Sequence, residues 1–219
     1  MIIYHGSNII VEKPLYGFGK TTNDYGCGFY CTEDPELAKE WACVDENGGF
    51  INTYRLDTNG LKVLELNEKN VIEWIAVLLK HREVRFSSPI EKRSAEYLIS
   101  NFAIDTSEYD VIMGYRADDS YFSYARAFLA NTISLQQLAE AMRFGNLGIQ
   151  IFVQSEKAFK HLAYVEADVV RGQEYYIKRV KRDSEARTAY HRMLEENVPE
   201  GIFVRDIIGK EMKLNDLCI

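Results

Sequence analysis

The spacing of apolar residues changes period repeatedly along the chain, and each change marks an element. "MIIYHGS" at the start reads as a short buried strand. A loop follows, broken by Pro14, Gly17, Gly19 and Gly26. "CGFYCT" reads as a second strand, on which strict alternation sets Gly26, Gly28 and Tyr30 on one face. Asp34 then Pro35 is a cap followed by a proline in the first helical position, and Leu37, Ala38 and Trp41 form one side of the helix it opens. "INTYRLD" and "LKVLEL" look like strands about a turn at Asn59-Gly60. A helical stripe runs through Val71, Trp74, Ile75 and Leu78, and Ser88-Pro89 opens another helix that ends near Phe102.

"YDVIMG" and "GIQIFVQS" are compact strands. Between them Ser120 and Ser134 each open a helix, the second stopped by Gly145. Ser155 starts a short helix through Phe159 and Leu162. A long charged helix runs from about Arg171 to Glu196, and "GIFVRDIIG" closes the pattern. Separated short strands among helices predict an α+β fold rather than a doubly wound parallel sheet. The expected division is residues 1–170 as the principal domain and 171–219 as a helical extension packed on it.

Composition narrows the function classes. The 219 residues, 47% hydrophobic and 27% charged, suffice for a folded core. A net charge of −7 leaves no general basic surface for nucleic acid. "KRVKRD" at 178–183, near Tyr175, Tyr176 and Tyr190, is a local basic patch whose plain reading is a solvated helix face. The four cysteines and four histidines show no zinc-ligand spacing. The longest aliphatic run, "WIAVLL", is too short to span a bilayer, and no leader-like segment is seen, so a cytoplasmic protein with reduced thiols and no membrane role is expected.

Chemistry concentrates in "YHGSN" and "GCGFYCTED". A backbone that must approach a ligand closely favours glycine, flat rings clamp a heteroaromatic ring, and His or Ser can hold hydroxyls. His5, Gly6 and Ser7 bring the polar partners, Gly28 leaves space, and Tyr30 and Trp41 bring aromatic planes. Each has a duller alternative: His5 as a satisfied core histidine, Trp41 as the buried stripe of its helix, Gln150 as an amide tying two strands. Gly26-x-Gly28 lacks the third glycine and the immediate helix of a dinucleotide-binding Rossmann turn.

"YHGS" followed by "GCGFYCTEDPELAKEWA" resembles the first two motifs of the His-Tyr-Glu ADP-ribosyltransferases, the branch of diphtheria toxin and the poly-ADP-ribose polymerases; Trp41 stands eleven positions after Tyr30, as that pattern requires. With "YDVIMGYRADDSYF" and "SEKAFKHL", residues 2–165 also resemble a bacterial domain-of-unknown-function family, number 3990. The resemblance implies split antiparallel sheets with flanking helices, here carrying the C-terminal helical extension. It implies NAD as a consumed substrate, nicotinamide release, and mono-ADP-ribosyl transfer to a macromolecular acceptor, protein or nucleic acid. A toxin-like setting with a neutralising antitoxin-like partner goes with it.

On that resemblance His5 holds the nicotinamide-ribose hydroxyl, Gly6 the carboxamide and Ser7 the distal ribose, with Tyr30 and Trp41 sandwiching the nicotinamide. The family's third position, a Glu on a late strand, is Gln150 here. A Gln can hold a hydroxyl but cannot take a proton. Either the acceptor is already nucleophilic, or Asp118 or Asp119 of "RADDSYF" supplies the carboxylate; that pair reads equally as a helix-entry cap. Arg116 can meet the NAD pyrophosphate or serve as an ordinary surface arginine. The alternative from another class is a catalytically silent NAD or ADP-ribose binder acting through a partner.

Overall fold

The structure, a computed structural model, describes residues 1–117, 119–144, 148–196 and 201–217, with the backbone alone at 119–121. Capping residues start most of its helices as their chemistry requires. Asp34 accepts from the amides of Glu36 (2.9 Å) and Leu37 (3.3 Å) and opens α1, Pro35–Ala42. Asn70 and Glu73 form a reciprocal box at the head of α2, Val71–His81, and Ser134 with Gln137 does the same for α5, Leu135–Ala141. Ser88 caps α3, Pro89–Phe102, and Ser155 caps α6, Glu156–Lys160. Helix α4, Asp119–Leu129, begins one residue before the expected Ser120, and the stop expected at Gly145 lies outside the described residues. The long charged helix is α7, Gly172–Glu196, and α8 spans Val204–Gly209.

The strands form two sheets. One has the order β1 (Ile2–Ser7), β3 (Gly49–Leu56), β7 (Leu162–Val170), with both pairings antiparallel. The other has the order β2 (Phe29–Cys31), β6 (Ile149–Val153), β5 (Val111–Tyr115), β4 (Val63–Glu65). The α+β class is as the sequence indicates, but the sheets are not wholly antiparallel. Strands β4 and β5 run parallel, Val63 opposite Val111. The turn at Asn59-Gly60 therefore does not fold a hairpin; it carries the chain from one sheet to the other.

Two further expectations change. Residues 162–170 form β7, an edge strand on β3, where the sequence suggested the end of a short helix. Its half-buried alternation is weak, with Val169 77% exposed, so no clear period betrays it. Strand β2 is only three residues long, because Gly26 adopts φ 95° and turns the chain out of the pleat. Gly26, Gly28 and Tyr30 consequently do not share a strand face.

Two apolar clusters fix the sheets. Ile3, Phe29, Tyr54, Leu56, Val111, Ile151 and Val153 draw on both sheets and hold them together. The larger cluster seats α2–α5 and α8 around the second sheet through Trp74, Leu98, Phe128, Leu138, Phe152 and Ile207. Alternation along β6 sends Ile151 and Val153 to the first cluster and Phe152 to the second. Helix α1 lies so close to β1 that a Cβ on Gly6 would stand 1.9 Å from the Ala38 carbonyl oxygen and 2.6 Å from the Ala42 nitrogen.

Two cations of the basic segment dock α7 on α1. Arg182 pairs with the buried Glu40 of α1 at 2.6 Å, and Lys178 lies 3.3 Å from Glu36, whose carboxylate also accepts from Tyr175. Among the described residues no helix is long and apolar enough to cross a membrane, and no side-chain group could hold a metal ion.

Candidate functional site

Besides side-chain packing, one isolated backbone bridge joins the two sheets among the described residues. Tyr4 and Thr32 exchange backbone hydrogen bonds of 2.8 and 2.9 Å, antiparallel to one another. His5 follows this bridge on β1 and Tyr30 precedes it on β2, so the bridge brings both to one seam. A cavity of about 350 Å³ opens there, lined by His5 and Gly6, Asn23 and Asp24, Tyr30, Trp41, Arg82, Arg116, Ala117, Gln150 and Arg179. That volume falls at the small end of small-molecule sites, about 300–1,000 Å³.

His5 Nδ1 stands 2.7 Å from the Tyr30 carbonyl oxygen. A carbonyl only accepts, so Nδ1 carries the proton and Nε2 is left as the acceptor. Burial lowers the imidazole pKa, outweighing the opposite pull of that hydrogen bond, and keeps the ring neutral. The residue is therefore equipped to accept a hydrogen bond from a hydroxyl.

The Tyr30 hydroxyl is fully engaged. It donates to the Gly26 carbonyl at 2.8 Å and accepts from the Tyr25 amide at 3.0 Å, and burial raises its pKa far from any working range. What it offers a ligand is its ring, which leans on Phe152 at 4.8 Å. Trp41 forms another wall. The Arg116 guanidinium sits over the indole at 5.0 Å, and the indole Nε1 is buried with no hydrogen-bond partner among the described residues.

Gln150 is buried on β6 and donates from Nε2 to Asp24 Oδ2 at 2.9 Å and to the Tyr115 carbonyl at 3.3 Å. Both N–H groups are thus committed, and its remaining polar atom, Oε1, is an acceptor. Asp24 is itself buried, accepts from the Ala117 amide at 2.9 Å, and pairs with Arg82 Nε at 2.9 Å. It is the one carboxylate among the residues described as lining the cavity. A glutamate at 150 would put two carboxylates within hydrogen-bond distance, and they would have to share a proton. The neutral amide at 150 and the acid at 24 are therefore matched.

Of the residues singled out in the sequence, His5, Gly6, Tyr30, Trp41, Arg116 and Gln150 are brought together and Ser7 and Gly28 are not. Ser7 Oγ donates to the Ile9 carbonyl at 2.6 Å and accepts from Asn52 Nδ2 at 3.0 Å, which pins the chain as it leaves β1. Gly28 is small because β6 runs against it: a Cβ there would meet Phe152 Cε2 at 2.4 Å and the Val153 carbonyl at 2.6 Å. Asp118 lies outside the described residues, and so does the Asp119 side chain.

Asp24, Arg82 and Arg179 were not legible. Asp24 lies in a loop without period, Arg82 is the last residue before a loop, and Arg179 is one of many charges on α7. The nearest signal was the run Asn23-Asp24-Tyr25-Gly26 directly before the second motif, which reads as a turn.

The fold and site define a mixed α+β protein whose one seam between sheets opens into a polar, aromatic-walled cavity. Residues 1–164 match the family described as a protein of unknown function, DUF3990, and the chain belongs to that family. No curated protein and no solved structure matches it. The matched segment ends inside β7, so α7 and its Arg179 lie beyond it.

Proposed function

We propose that the protein is an ADP-ribosyltransferase that consumes NAD and passes a single ADP-ribosyl group to a macromolecular acceptor. One observation carries this reading: His5, Gly6, Tyr30, Trp41, Arg116 and Gln150, drawn from five separate stretches of chain, line one cavity. In the reaction the bond between ribose C1′ and the pyridinium nitrogen breaks, and its electron pair goes to the departing nicotinamide. The acceptor's lone pair closes the new bond at C1′ and its proton, where it has one, goes to solvent.

His5 Nε2 accepts from a ribose hydroxyl, the Tyr30 and Trp41 rings flank the nicotinamide, and Gln150 Oε1 offers a second hydroxyl acceptor and a negative dipole end toward the developing positive charge. Asp24 is a positioning residue that orients the Gln150 amide. Since neither residue is a free base, the best acceptors are already ionised, such as phosphate, carboxylate or thiolate. Chain elongation onto a ribose hydroxyl is not expected.

A second reading is favoured by a particular feature: the lining carboxylate, Asp24, is engaged by Arg82, the Ala117 amide and Gln150. On that reading the cavity binds NAD or ADP-ribose without turnover and signals to a partner. Nicotinamide release measured on the full chain, with phosphate-, carboxylate- and thiol-bearing acceptors, separates the two. Release that falls at least about 100-fold in His5→Ala, and less in Gln150→Ala, supports transfer. Saturable NAD binding with no release supports the silent binder, and absence of both ends the NAD reading.

A further inference from the structure

The charged side chains among the described lining residues are Arg82, Arg116 and Arg179 and the carboxylate of Asp24. Arg82 balances Asp24 at 2.9 Å. His5 is held neutral by burial. Arg179 is the informative one. Its neighbours on α7 are matched with acids: Lys178 with Glu36 and Glu174, Arg182 with Glu40. Arg179 makes no ion pair with any described residue; Nη1 reaches the Cys43 carbonyl at a long 3.4 Å. It is half-buried at the cavity wall, with a guanidinium suited to the paired oxygens of a phosphate.

From a guanidinium at the cavity wall that no described acid matches, we infer that Arg179 is a phosphate-binding residue, and that α7 completes the site by carrying it to the cavity. The ligand is then a phosphate- or pyrophosphate-bearing nucleotide whose nucleoside occupies the His5–Tyr30 end. This deepens the NAD reading: the ligand's identity rests on that reading, whereas its negative charge rests on Arg179 alone. The docking of α7 through Arg182–Glu40 and Lys178–Glu36 fixes the helical register that puts residue 179 at the wall. The site thus depends on chain beyond the family-matched segment.

The test is calorimetric titration of the full-length protein, wild type, Arg179→Gln and Arg179→Lys, with ADP-ribose, NAD, nicotinamide and inorganic pyrophosphate; thermal melting checks that the variants fold. Expected is at least about a tenfold loss of ADP-ribose affinity in Arg179→Gln, a smaller loss in Arg179→Lys, and unchanged nicotinamide affinity. Wild-type affinity should also weaken with added salt. Equal ADP-ribose affinity in wild type and Arg179→Gln overturns the inference and leaves the NAD reading standing. Pyrophosphate binding that needs Arg179, with no NAD binding, supports the inference and removes the NAD reading. Wild-type protein that binds none of the phosphate ligands overturns it.

Discussion

Substituting Asp24 by Asn removes one charge from the cavity wall and leaves its shape almost intact. Every described partner of that carboxylate donates: Arg82 Nε at 2.9 Å to Oδ1, and the Ala117 amide and Gln150 Nε2, each at 2.9 Å, to Oδ2. An amide has one oxygen for these two positions, so its NH₂ must face either the arginine or the Ala117 N–H. Gln150 can turn its amide over to compensate; a backbone N–H and a guanidinium cannot. Breaking a buried pair costs about 3–5 kcal/mol. Because the Arg82 side chain keeps 25% of its exposure, water recovers part of this, and the lower end, about 3 kcal/mol, is expected. Urea unfolding followed by circular dichroism reads it as a midpoint lowered by about 1–2 M at unchanged slope. A cycle with Arg82→Gln should show the two losses overlapping by at least about 1 kcal/mol. An Asp24→Asn protein within about 0.5 kcal/mol of wild type, or strictly additive losses, refutes the network as drawn.

Three more outcomes are expected. His5 has a folded pKa below its unfolded value near 6.5, so between the two the unfolded chain binds more protons and stability falls as pH drops through that window; His81 acts in the same direction. His5→Gln should flatten the pH 7 to 5 stability profile, by at most about 1.4 kcal/mol per pH unit, and an unchanged slope counts against a neutral, buried His5. Gly6→Ala must push α1 off β1, since its Cβ would sit 1.9 Å from the Ala38 carbonyl oxygen; a loss of about 3 kcal/mol in chemical unfolding, with weakened NAD binding through displaced Trp41, is expected, and a neutral effect contradicts the packing. Gln150→Glu should destabilise by about 2 kcal/mol or more at pH 8, because it faces Asp24; its folded pKa is raised, so the deficit shrinks as pH falls toward 5, and Asp24→Asn in the same chain should remove most of the pH dependence.

Local chemistry was the legible part of the chain. Asp34-Pro35, Ser88-Pro89 and Ser134 start helices through hydrogen bonds made within three residues, so a short window contains their cause. The two motifs near the start gave His5, Tyr30 and Trp41, and the late strand gave Gln150. What escaped depends on partners far along the chain. Asp24 meets Gln150 across 126 positions, and β4 pairs with β5, Val63 opposite Val111, rather than with β3 next to it in sequence. Gly28 was assigned to a ligand because a glycine beside a strand looks the same whether a ligand or Phe152 fills the space next to it. Edge strand β7 escaped for another reason: with one neighbour and an exposed outer side, it carries little of the period that marks buried strands.

The Tyr4–Thr32 bridge leaves each sheet a complete hydrogen-bonded body, coupled to the other among the described residues by one pair of backbone bonds, the His5–Tyr30 hydrogen bond and side-chain packing. A molecule seated between His5 on one body and Gln150 on the other acts as a clasp across a shear plane. Its grip should be felt far from the contact: slowed amide hydrogen exchange in β3 and in β5 together, although neither strand supplies a side chain to the cavity.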